Sequence, residues 1–445
     1  MQVCVVGAGL AGCEAAWQAA ERGAEVTLHE MKPQRFSPAH HSEDFAELVC
    51  SNSLRADGLG NAVGLLKEEM RCLGSLVMQV ADASRVPAGR ALAVDRHAFS
   101  RRMTERVAAH PRIQVQRREV LQLPEEPVVV LATGPLTSEA LAAALQERIG
   151  DHALYFYDAI SPIVHADSVD PEMAFRASRW EDGPGDYLNL PLDEGAYERF
   201  VDALLEAETV PLHAFEKALF FEGCLPIEEM ARRGRQTLAH GPMKPVGLRD
   251  PRDGRPPFAV VQLRHEDSQG MLLNFVGFQT KLRIACQQHV FRMLPGMAGA
   301  VFARYGSVHR NTFLDAPQWI TPSLELRGRA GLFVAGQMAG VEGYVESAAL
   351  GLLAGVNAAF ALRGQPAPVP DPCTAHGALL THLRGGRDGG RQGFQPSNVN
   401  YGLFPPLADA PRKLRKREKN ARLAERALAA LPAFGEAIGA PRRAA

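Results

Sequence analysis

The sequence lacks paired cysteines and long apolar segments. Its seven cysteines are an odd number and include no CxxC motif, which argues against a disulfide framework or a zinc ribbon and favours reduced thiols. No secretory signal is found at the start, and the longest weakly polar run, residues 348–362, is too short for a membrane span. We therefore expect a cytoplasmic protein without a membrane partner.

Net charge is also nearly absent, since 49 basic residues face 50 acidic ones. The chain as a whole is no polycation, so any nucleic-acid partner must be met by a local patch. Two such patches exist, at residues 231–264 and 412–426, and each carries eight basic and two acidic residues. The sequence from Asp409 predicts a helix with two different faces. One face carries the second basic patch, and the other is apolar and consists of Leu414, Ala421, Ala424, Leu428 and Leu431.

What the sequence does contain begins with a glycine turn. Apolar residues 2–6 predict a strand, GAGLAG follows at once, and a helix and a second strand lead to Glu30. Gly7 permits the tight turn, Gly9 lets a pyrophosphate approach the backbone, and Gly12 permits close helix–strand packing. The helix N-terminus favours a phosphate, and Glu30 would accept hydrogen bonds from a ribose. This context predicts a dinucleotide site.

Two later strands that end on glycine favour FAD over NAD(P). Residues 128–131 precede Gly134, and residues 331–336 end on Gly336 after nearly two hundred intervening residues. That length is too great for a loop and requires an inserted domain. We therefore predict an α/β fold, in which an FAD-binding Rossmann-like domain of the two-dinucleotide-fold type is interrupted by an α/β insertion domain. The predicted boundaries are 1–159 and 305–365 for the FAD domain, 160–304 for the insertion, and 366–445 for a connector, a polar loop and a basic helix.

Ten stretches of the sequence resemble a known enzyme family. They are VVGAGLAGCEAAWQ, LVCSNSLR, LKEEMR, PAGRALAVDRHAFS, FYDAISPIV, FEGCLPIEEMARRG, NFVGFQTKL, RYGSVHRNTF, LFVAGQMAGVEGYVESAALG and FQPSNVNYGLFPPL. In these motifs the chain resembles the bacterial folate- and FAD-dependent tRNA (uracil-5-)-methyltransferases. The resemblance implies methylation of the T-loop uridine at tRNA position 54, with the carbon from 5,10-methylenetetrahydrofolate and reducing equivalents from NAD(P)H through FAD.

Methylating uracil at carbon 5 needs a nucleophile at carbon 6, because carbon 5 is otherwise barely reactive. A low-pKa cysteine suits this role. Cys224 precedes Pro226 at a predicted helix start, and Cys50 precedes the turn residues Ser-Asn-Ser. A small apolar core role stays open for each on local pattern alone, whereas the resemblance implies that both are functional. We assign Cys224 as the nucleophile and Cys50 as its partner near the flavin.

The remaining candidates divide into three groups. The proposed FAD contacts are Gly7, Ala8, Gly9, Gly12, Glu30, Gly134, Gly336, Gln337, Gly343 and Tyr344. Candidates for the folate or flavin site are Ser51, Asn52, Ser53, His309, Arg310 and Asn311. Candidates for tRNA binding are Arg232, Arg233, Arg415, Lys416 and Lys419. No metal is expected, because the adjacent His40 and His41 have no third ligand at suitable spacing.

Three other functions are considered. A related FAD protein modifies the tRNA wobble uridine with a GTPase partner, but it is much longer and has a large C-terminal helical domain. A small-molecule flavin oxidoreductase would need neither basic patch nor turn cysteine. A non-catalytic tRNA-binding flavoprotein would retain tRNA without methylating it. Nothing in the sequence implies a protein partner.

Overall fold

The structure is a computed structural model that describes residues 2–149, 153–181, 185–210, 225–385, 394–408 and 414–441, with the backbone alone at 153–158 and 309–312. Its strands are β1 (Gln2–Val6), β2 (Glu25–Glu30), β3 (Ser53–Ala56), β4 (Arg85–Val86), β5 (Ala91–Val94), β6 (Ile113–Arg117), β7 (Val129–Leu131), β8 (Ala153–Ala159), β9 (Ile163–His165), β10 (Phe175–Arg176), β11 (Tyr187–Leu192), β12 (Ala259–His265), β13 (Leu272–Phe275), β14 (Phe302–Arg304), β15 (Val308–Leu314) and β16 (Leu332–Val334).

Helices cover most of the remaining regular structure in the described ranges. They are α1 (Leu10–Glu21), α2 (Ala62–Cys72), α3 (Leu76–Asp82), α4 (Arg96–Ala108), α5 (Glu139–Ile149), α6 (Glu194–Glu206), α7 (Ile227–Arg233), α8 (Thr237–His240), α9 (Ile284–Arg292), α10 (Ala316–Trp319), α11 (Tyr344–Leu362), α12 (Ala375–Leu383) and α13 (Lys416–Ala437).

A five-stranded parallel sheet forms the first layer, in the order β16-β7-β1-β2-β6. Strands β1, β2, β7 and β16 are almost entirely buried, as parallel strands covered on both faces must be, whereas the edge strand β6 buries Ile113 alone. The predicted strand–turn–helix–strand unit is present as β1, α1 and β2. The strand predicted after residue 128 is β7, and the strand predicted near the far end is β16, which joins the sheet beside β7.

Helix α11 packs along α1 through small residues. A Cβ atom on Gly351 would lie 2.2 Å from the carbonyl oxygen of Ala11, and one on Gly355 would lie 2.3 Å from that of Ala15. At 19 residues α11 is longer than the apolar run seen in the sequence, and by length and composition it could cross a membrane. However, 78% of its most apolar 18-residue segment is buried inside the protein, as in a core helix.

A six-stranded antiparallel sheet forms the second layer, in the order β10-β11-β12-β13-β9-β14. All six strands fall between residues 163 and 304, and they build a hydrophobic core of their own with α6, α7 and α9. Strands β8 and β15, which lead into and out of this region, pair with each other. The predicted fold class, a two-dinucleotide-fold domain with an inserted domain, is confirmed, whereas the domain boundaries stay a prediction.

Helices α12 and α13 pack on the first core and not on the second. Helix α13 begins at Lys416 and buries Leu423, Ala424, Ala427, Leu431 and Phe434. The predicted apolar face was therefore wrong at Ala421, which is exposed, and at Leu414, which precedes the helix. The buried positions have the spacing of one helix face, which packs against α2. This tertiary contact determines which face is buried.

Candidate active site

A deep cleft lies where the parallel strands end. It holds about 1160 Å³ of unfilled space, part of it open to solvent. Ligands of open α/β folds bind at the carboxyl ends of the strands, which is where this cleft lies. Eight of the ten residues predicted to contact FAD line it, namely Gly7, Ala8, Gly9, Glu30, Gly134, Gly336, Gln337 and Tyr344. Gly12 and Gly343 do not line it.

The glycines of the first turn have different surroundings. Gly7 has φ +96°, and a Cβ there would lie 2.7 Å from the carbonyl oxygen of Ala132. A Cβ on Gly12 would lie 1.7 Å from the carbonyl oxygen of Gly7, so the turn and α1 touch backbone to backbone. A Cβ on Gly9 would meet nothing within 4 Å. Gly9 is thus the position whose missing side chain leaves space at the N-terminus of α1.

The Glu30 carboxylate is held by backbone amides at the edge of the cleft. It accepts hydrogen bonds from the N–H of Ala8 at 2.8 Å and of Lys32 at 3.0 Å. One carboxylate therefore links the glycine turn to the end of β2. Together with the open helix N-terminus at Gly9, these groups fit the pyrophosphate and ribose of a dinucleotide.

Sequence reasoning missed several polar residues of the same cleft. Lys32, Arg118, Thr133 and Ser347 also line it. The first three come just after the ends of β2, β6 and β7. That position was the available signal, because the carboxyl ends of parallel strands meet at one edge of the sheet.

The second glycine-rich segment closes the cleft from the side of α11. Gly336 has φ +76° and its Cβ would lie 2.9 Å from the Cβ of Ala11. Gln337 donates a hydrogen bond to Glu342 at 2.7 Å. Gly343 has φ +107° and precedes Tyr344, the first residue of α11.

Tyr344 connects the cleft to the cysteine loop, residues 45–52. Its hydroxyl oxygen accepts hydrogen bonds from the N–H of Cys50 at 2.7 Å and of Ser51 at 3.4 Å. Burial raises the pKa of Tyr344 above its ordinary value, with a further contribution from Cys50. The phenol therefore stays neutral, and Cys50 is held beside the wall of the cleft.

Two arginines, the buried Arg96 and the half-buried Arg304, bind the carbonyl oxygens of the cysteine loop. Arg304 of β14 donates to the carbonyl of Val49 at 2.9 Å and to that of Cys50 at 3.4 Å. Arg96 of α4 donates to the carbonyl of Leu48 and pairs with Glu266 at 2.8 Å. Burial, and then the nearby charge of Arg96, lower the pKa of Arg304 to about 10. The loop is thus fixed at the junction of the two domains.

The three predicted residues after Cys50 are also engaged by the protein. Asn52 is fully buried and donates to the carbonyls of Val94 and His265, both at 2.9 Å. Its side-chain oxygen accepts from Arg264 of β12 at 2.8 Å, and the hydroxyl of Ser51 accepts from the same guanidinium at 2.8 Å. The hydroxyl of Ser53 accepts from the N–H of Arg55. Asn52 thus joins the two domains.

Several predicted residues cannot be placed against this site. Cys224 lies outside the described residues, and for His309, Arg310 and Asn311 only the strand pairing of β15 with β8 is described. The helix expected after Cys224 is present as α7, with Pro226 before its first residue. Its first turn carries Glu228, whose pKa burial raises, and Glu229, which pairs with Arg232 and with Lys281, both at 2.6 Å.

The two remaining thiols of the first unit lie in the core. Cys4 is on β1 and Cys13 is on α1, and both are buried. Burial, and then the charge of Glu126, raise the pKa of Cys4 to about 12. Burial, and then the charge of Glu30, also raise the pKa of Cys13. Neither thiol is suited to nucleophilic chemistry at neutral pH.

The first basic patch is partly neutralised within the insertion domain. Arg232 pairs with Glu229 at 2.6 Å, Arg235 pairs with Glu198 at 2.6 Å, and Arg252 pairs with Asp250 at 2.5 Å. Arg264 is buried against the cysteine loop. Counting charges along the sequence therefore overstates what this patch presents to a polyanion.

The second patch presents its charges to solvent. Arg415, Lys416, Arg417 and Lys419 are all exposed around the start of α13. The next residue, Asn420, donates to the carbonyl of Gly60 at 2.9 Å. The basic end of α13 therefore lies beside the loop that follows β3, the strand that leads away from Cys50.

Comparison with known proteins gives consistent matches. Residues 2–366 match the family described as Glucose inhibited division protein A. The chain is 60% identical over 430 residues to the methylenetetrahydrofolate--tRNA-(uracil-5-)-methyltransferase TrmFO of Geobacter sulfurreducens, covering 96% of this chain and 98% of that protein. It is 53% identical over 434 residues to the protein of the same name from Anoxybacillus flavithermus, covering 98% and 99%.

A solved structure shares the fold. The GidA structure of Aquifex aeolicus in its form II crystal superposes with a TM-score of 0.70 at 16% identity, covering 98% of this chain and 73% of that one. At that identity the likeness concerns the fold alone. It supports the arrangement of a parallel-sheet domain with an insertion.

Proposed function

Because this chain belongs to the TrmFO family of methylenetetrahydrofolate--tRNA-(uracil-5-)-methyltransferases, within the broader Glucose inhibited division protein A family, we propose that the cleft and the cysteine loop together form its active site. The chain is a folate- and FAD-dependent tRNA (uracil-5-)-methyltransferase. The observation that carries the placement of the site is the hydrogen bond from Cys50 to Tyr344, which joins the cysteine loop to the wall of the dinucleotide cleft.

The residues of the cleft fit FAD. The N-terminus of α1 at Gly9 would hold the pyrophosphate, and Glu30 would accept from the ribose hydroxyls while its other contacts fix the turn. When bound, FAD would supply the redox chemistry that links NAD(P)H to the one-carbon unit. The chain itself supplies a partly enclosed cleft, a neutral phenol at Tyr344 and a fixed loop at Cys50.

The two cysteines have separate roles in this proposal. Cys224 attacks carbon 6 of the target uracil, which makes carbon 5 nucleophilic. Cys50, fixed beside the cleft, either protects the one-carbon unit or removes the proton from carbon 5. The support for Cys50 is its position, whereas the support for Cys224 is the resemblance and the chemistry.

The proposed target is uridine 54 in the T-loop. A folded tRNA is recognised largely through its backbone and shape. The exposed cations of α13 supply a phosphate-binding surface beside the loop at Gly60. We propose Arg415, Lys416 and Lys419 as contacts to the tRNA backbone, and Arg232 and Arg233 as weaker candidates because Arg232 is paired within α7.

Carbon transfer tests the function directly. Purified protein is incubated with a T-loop transcript, NADPH and 5,10-methylenetetrahydrofolate labelled in its methylene group. We expect label to appear in 5-methyluridine at position 54, detected by mass analysis of digested RNA, and only when NADPH is present. Labelled S-adenosylmethionine should give none, since a methyltransferase using that donor has no need of a flavin. Label arriving from S-adenosylmethionine would overturn the proposed reaction.

Salt dependence tests the role of α13. Replacing Arg415, Lys416 and Lys419 together by Ala should reduce the slope of log affinity against log salt by about 2–3, because each lost phosphate contact contributes about 0.7–0.9. The loss should be similar for substrate and non-substrate tRNA, because phosphate contacts carry no sequence information. Filter binding across a salt series measures both.

A matched control lies at the other end of the sheet. Arg112 precedes β6, on the edge opposite the cleft, and pairs with Glu25 at 2.7 Å. Arg112→Ala should leave the salt slope unchanged. If the triple variant kept the wild-type slope of log affinity against log salt, the start of α13 would have no role in tRNA binding and would serve only in packing.

A further inference from the structure

The most exposed large apolar side chain in the described part of the chain is Trp180, with 68% of its surface exposed. It follows β10 at the edge of the insertion sheet and has φ +64°. Such an exposure is unusual for tryptophan, whose burial contributes strongly to folding. Together with Val246, which is 55% exposed and lines the same cleft, this side chain in a strained backbone conformation points to a binding role.

The ring is held in place although it is exposed. The ring lies close to Gly247, where a Cβ atom would come within 2.8 Å of it. The backbone N–H of Trp180 donates a hydrogen bond to the carbonyl of Gly247 at 3.3 Å. Beside it, Arg179 donates to the carbonyl of Val246 at 2.6 Å and to the side chain of Gln262 at 2.9 Å. The backbone that carries the ring is therefore tied to the segment at Val246 and Gly247.

A shallow cleft with basic walls runs along this ring. It holds about 1390 Å³ of unfilled space, part of it open to solvent, and includes Arg176, Arg249 and Val246, which is 55% exposed. Glu181 is the acidic residue of the wall, and it lies 3.7 Å from Arg90. The cleft thus combines an aromatic face with two cationic side chains that contact no carboxylate among the described residues.

Strand β12 connects this cleft to the cysteine loop. Gln262, which holds Arg179, and Arg264, which holds Asn52, are two residues apart and so lie on the same face of the sheet, about 7 Å from each other. Arg176 also contacts His265 at 3.2 Å, and the carbonyl of His265 accepts from Asn52. The Trp180 cleft and the cysteine loop are therefore linked through the buried side chains of Gln262, Arg264 and Asn52.

We propose that the Trp180 cleft binds an unpaired nucleobase of the tRNA substrate, stacked on the indole ring, with the adjoining phosphates on Arg176 and Arg249. The inference rests on the proposed function, since it assumes a tRNA substrate. RNA is favoured over a protein partner because aromatic rings flanked by arginine suit unstacked bases and phosphates together.

Affinity and solvent protection test the proposal. Trp180→Ala should weaken tRNA binding about tenfold, whereas Trp180→Phe, which keeps an aromatic face, should stay within about threefold of wild type. Arg249→Ala should lower the salt slope by about 1. The chain has three tryptophans, so acrylamide quenching of their emission should fall on tRNA binding in wild type but not in Trp180→Phe.

Controls separate this site from folding and from the reaction. Val369→Ala, at a similarly exposed apolar side chain in the connector, should bind tRNA as wild type does, and all variants should keep their FAD content and unfolding temperature. Unchanged affinity in Trp180→Ala, with the wild type still methylating tRNA, would overturn the inference alone. Quenching protection that rises with protein concentration without tRNA would show a protein contact instead, and overturn it too. Absence of methylation by the wild type would count against the proposed function. The effect of Trp180→Ala on tRNA affinity would still decide whether the Trp180 cleft binds RNA.

Discussion

A T-loop transcript with 5-fluorouridine at position 54 is expected to form an adduct that survives denaturation with wild-type protein and with Cys50→Ala, but not with Cys224→Ala. Once carbon 5 has received the one-carbon unit, fluorine cannot leave that carbon as a proton does, so the bond from the attacking thiolate to carbon 6 persists. Turnover of the normal transcript should fall at least about 1,000-fold in either variant, as for other catalytic residues that act as a unit. Gel electrophoresis in denaturant and mass analysis detect the adduct.

The control for this experiment is Cys373→Ala, which alters a partly exposed thiol before α12. It should form the adduct and turn over normally. If Cys224→Ala formed the adduct and Cys50→Ala did not, the two roles would be exchanged. That outcome would also indicate that the fixed loop at Cys50, and not the segment before α7, faces the target base.

Replacing Gly9 by Val should give a folded protein without flavin. A Cβ atom added at Gly9 would have no protein atom within 4 Å, and the φ of −74° at this position suits any residue. The valine methyl groups would instead occupy the place of the pyrophosphate. We expect FAD to bind at least about tenfold more weakly, equivalent to about 1.4 kcal/mol or more. Flavin absorbance of the purified protein and titration with FAD measure this.

Gly12→Ala is the informative comparison, because its Cβ would lie 1.7 Å from the carbonyl oxygen of Gly7. That variant should lower the unfolding temperature of the apoprotein, whereas Gly9→Val should not. Full flavin content in Gly9→Val would mean that the pyrophosphate lies elsewhere. A large loss of apoprotein stability in the same variant would mean that the space at Gly9 is needed for folding.

The glycine turn could be predicted because its determinants are local. Gly7, Gly9 and Gly12 act through backbone geometry within one turn, and Glu30 ends the very next strand. Spacing along the sequence therefore carries nearly all of the information. The same holds for β7 and β16, whose short apolar runs end on glycines.

The surroundings of Cys50 could not be predicted in this way. Arg96, Arg264 and Arg304 reach the cysteine loop from 48 to 255 residues away in sequence. In the sequence each of them is one arginine among many, and only the packing of the two domains selects it. Arg264 even counted toward a presumed RNA-binding patch, although it is buried.

The prediction of the apolar face of α13 was partly wrong for a related reason. Periodicity from residue 411 onward placed Ala421 inside, but the helix is seated by Leu423, Ala427 and Leu431 against α2. A helix with several small residues has more than one plausible apolar face. Its partner decides which one is buried.

The position of β16 and α11 at the far side of the insertion governs how the chain can fold as it leaves the ribosome. The first sheet has four of its strands by Leu131, but the fifth begins at Leu332 and the helix that covers α1 ends at Leu362. Since translation proceeds at about 5–20 residues per second, roughly 10–40 s pass between synthesis of the fourth strand and synthesis of the fifth. The insertion domain, with a core of its own, is complete before then. Because β8 and β15 pair at its two ends, we expect folding of the insertion to bring the ends of the interrupted domain together, so that the dinucleotide cleft closes last.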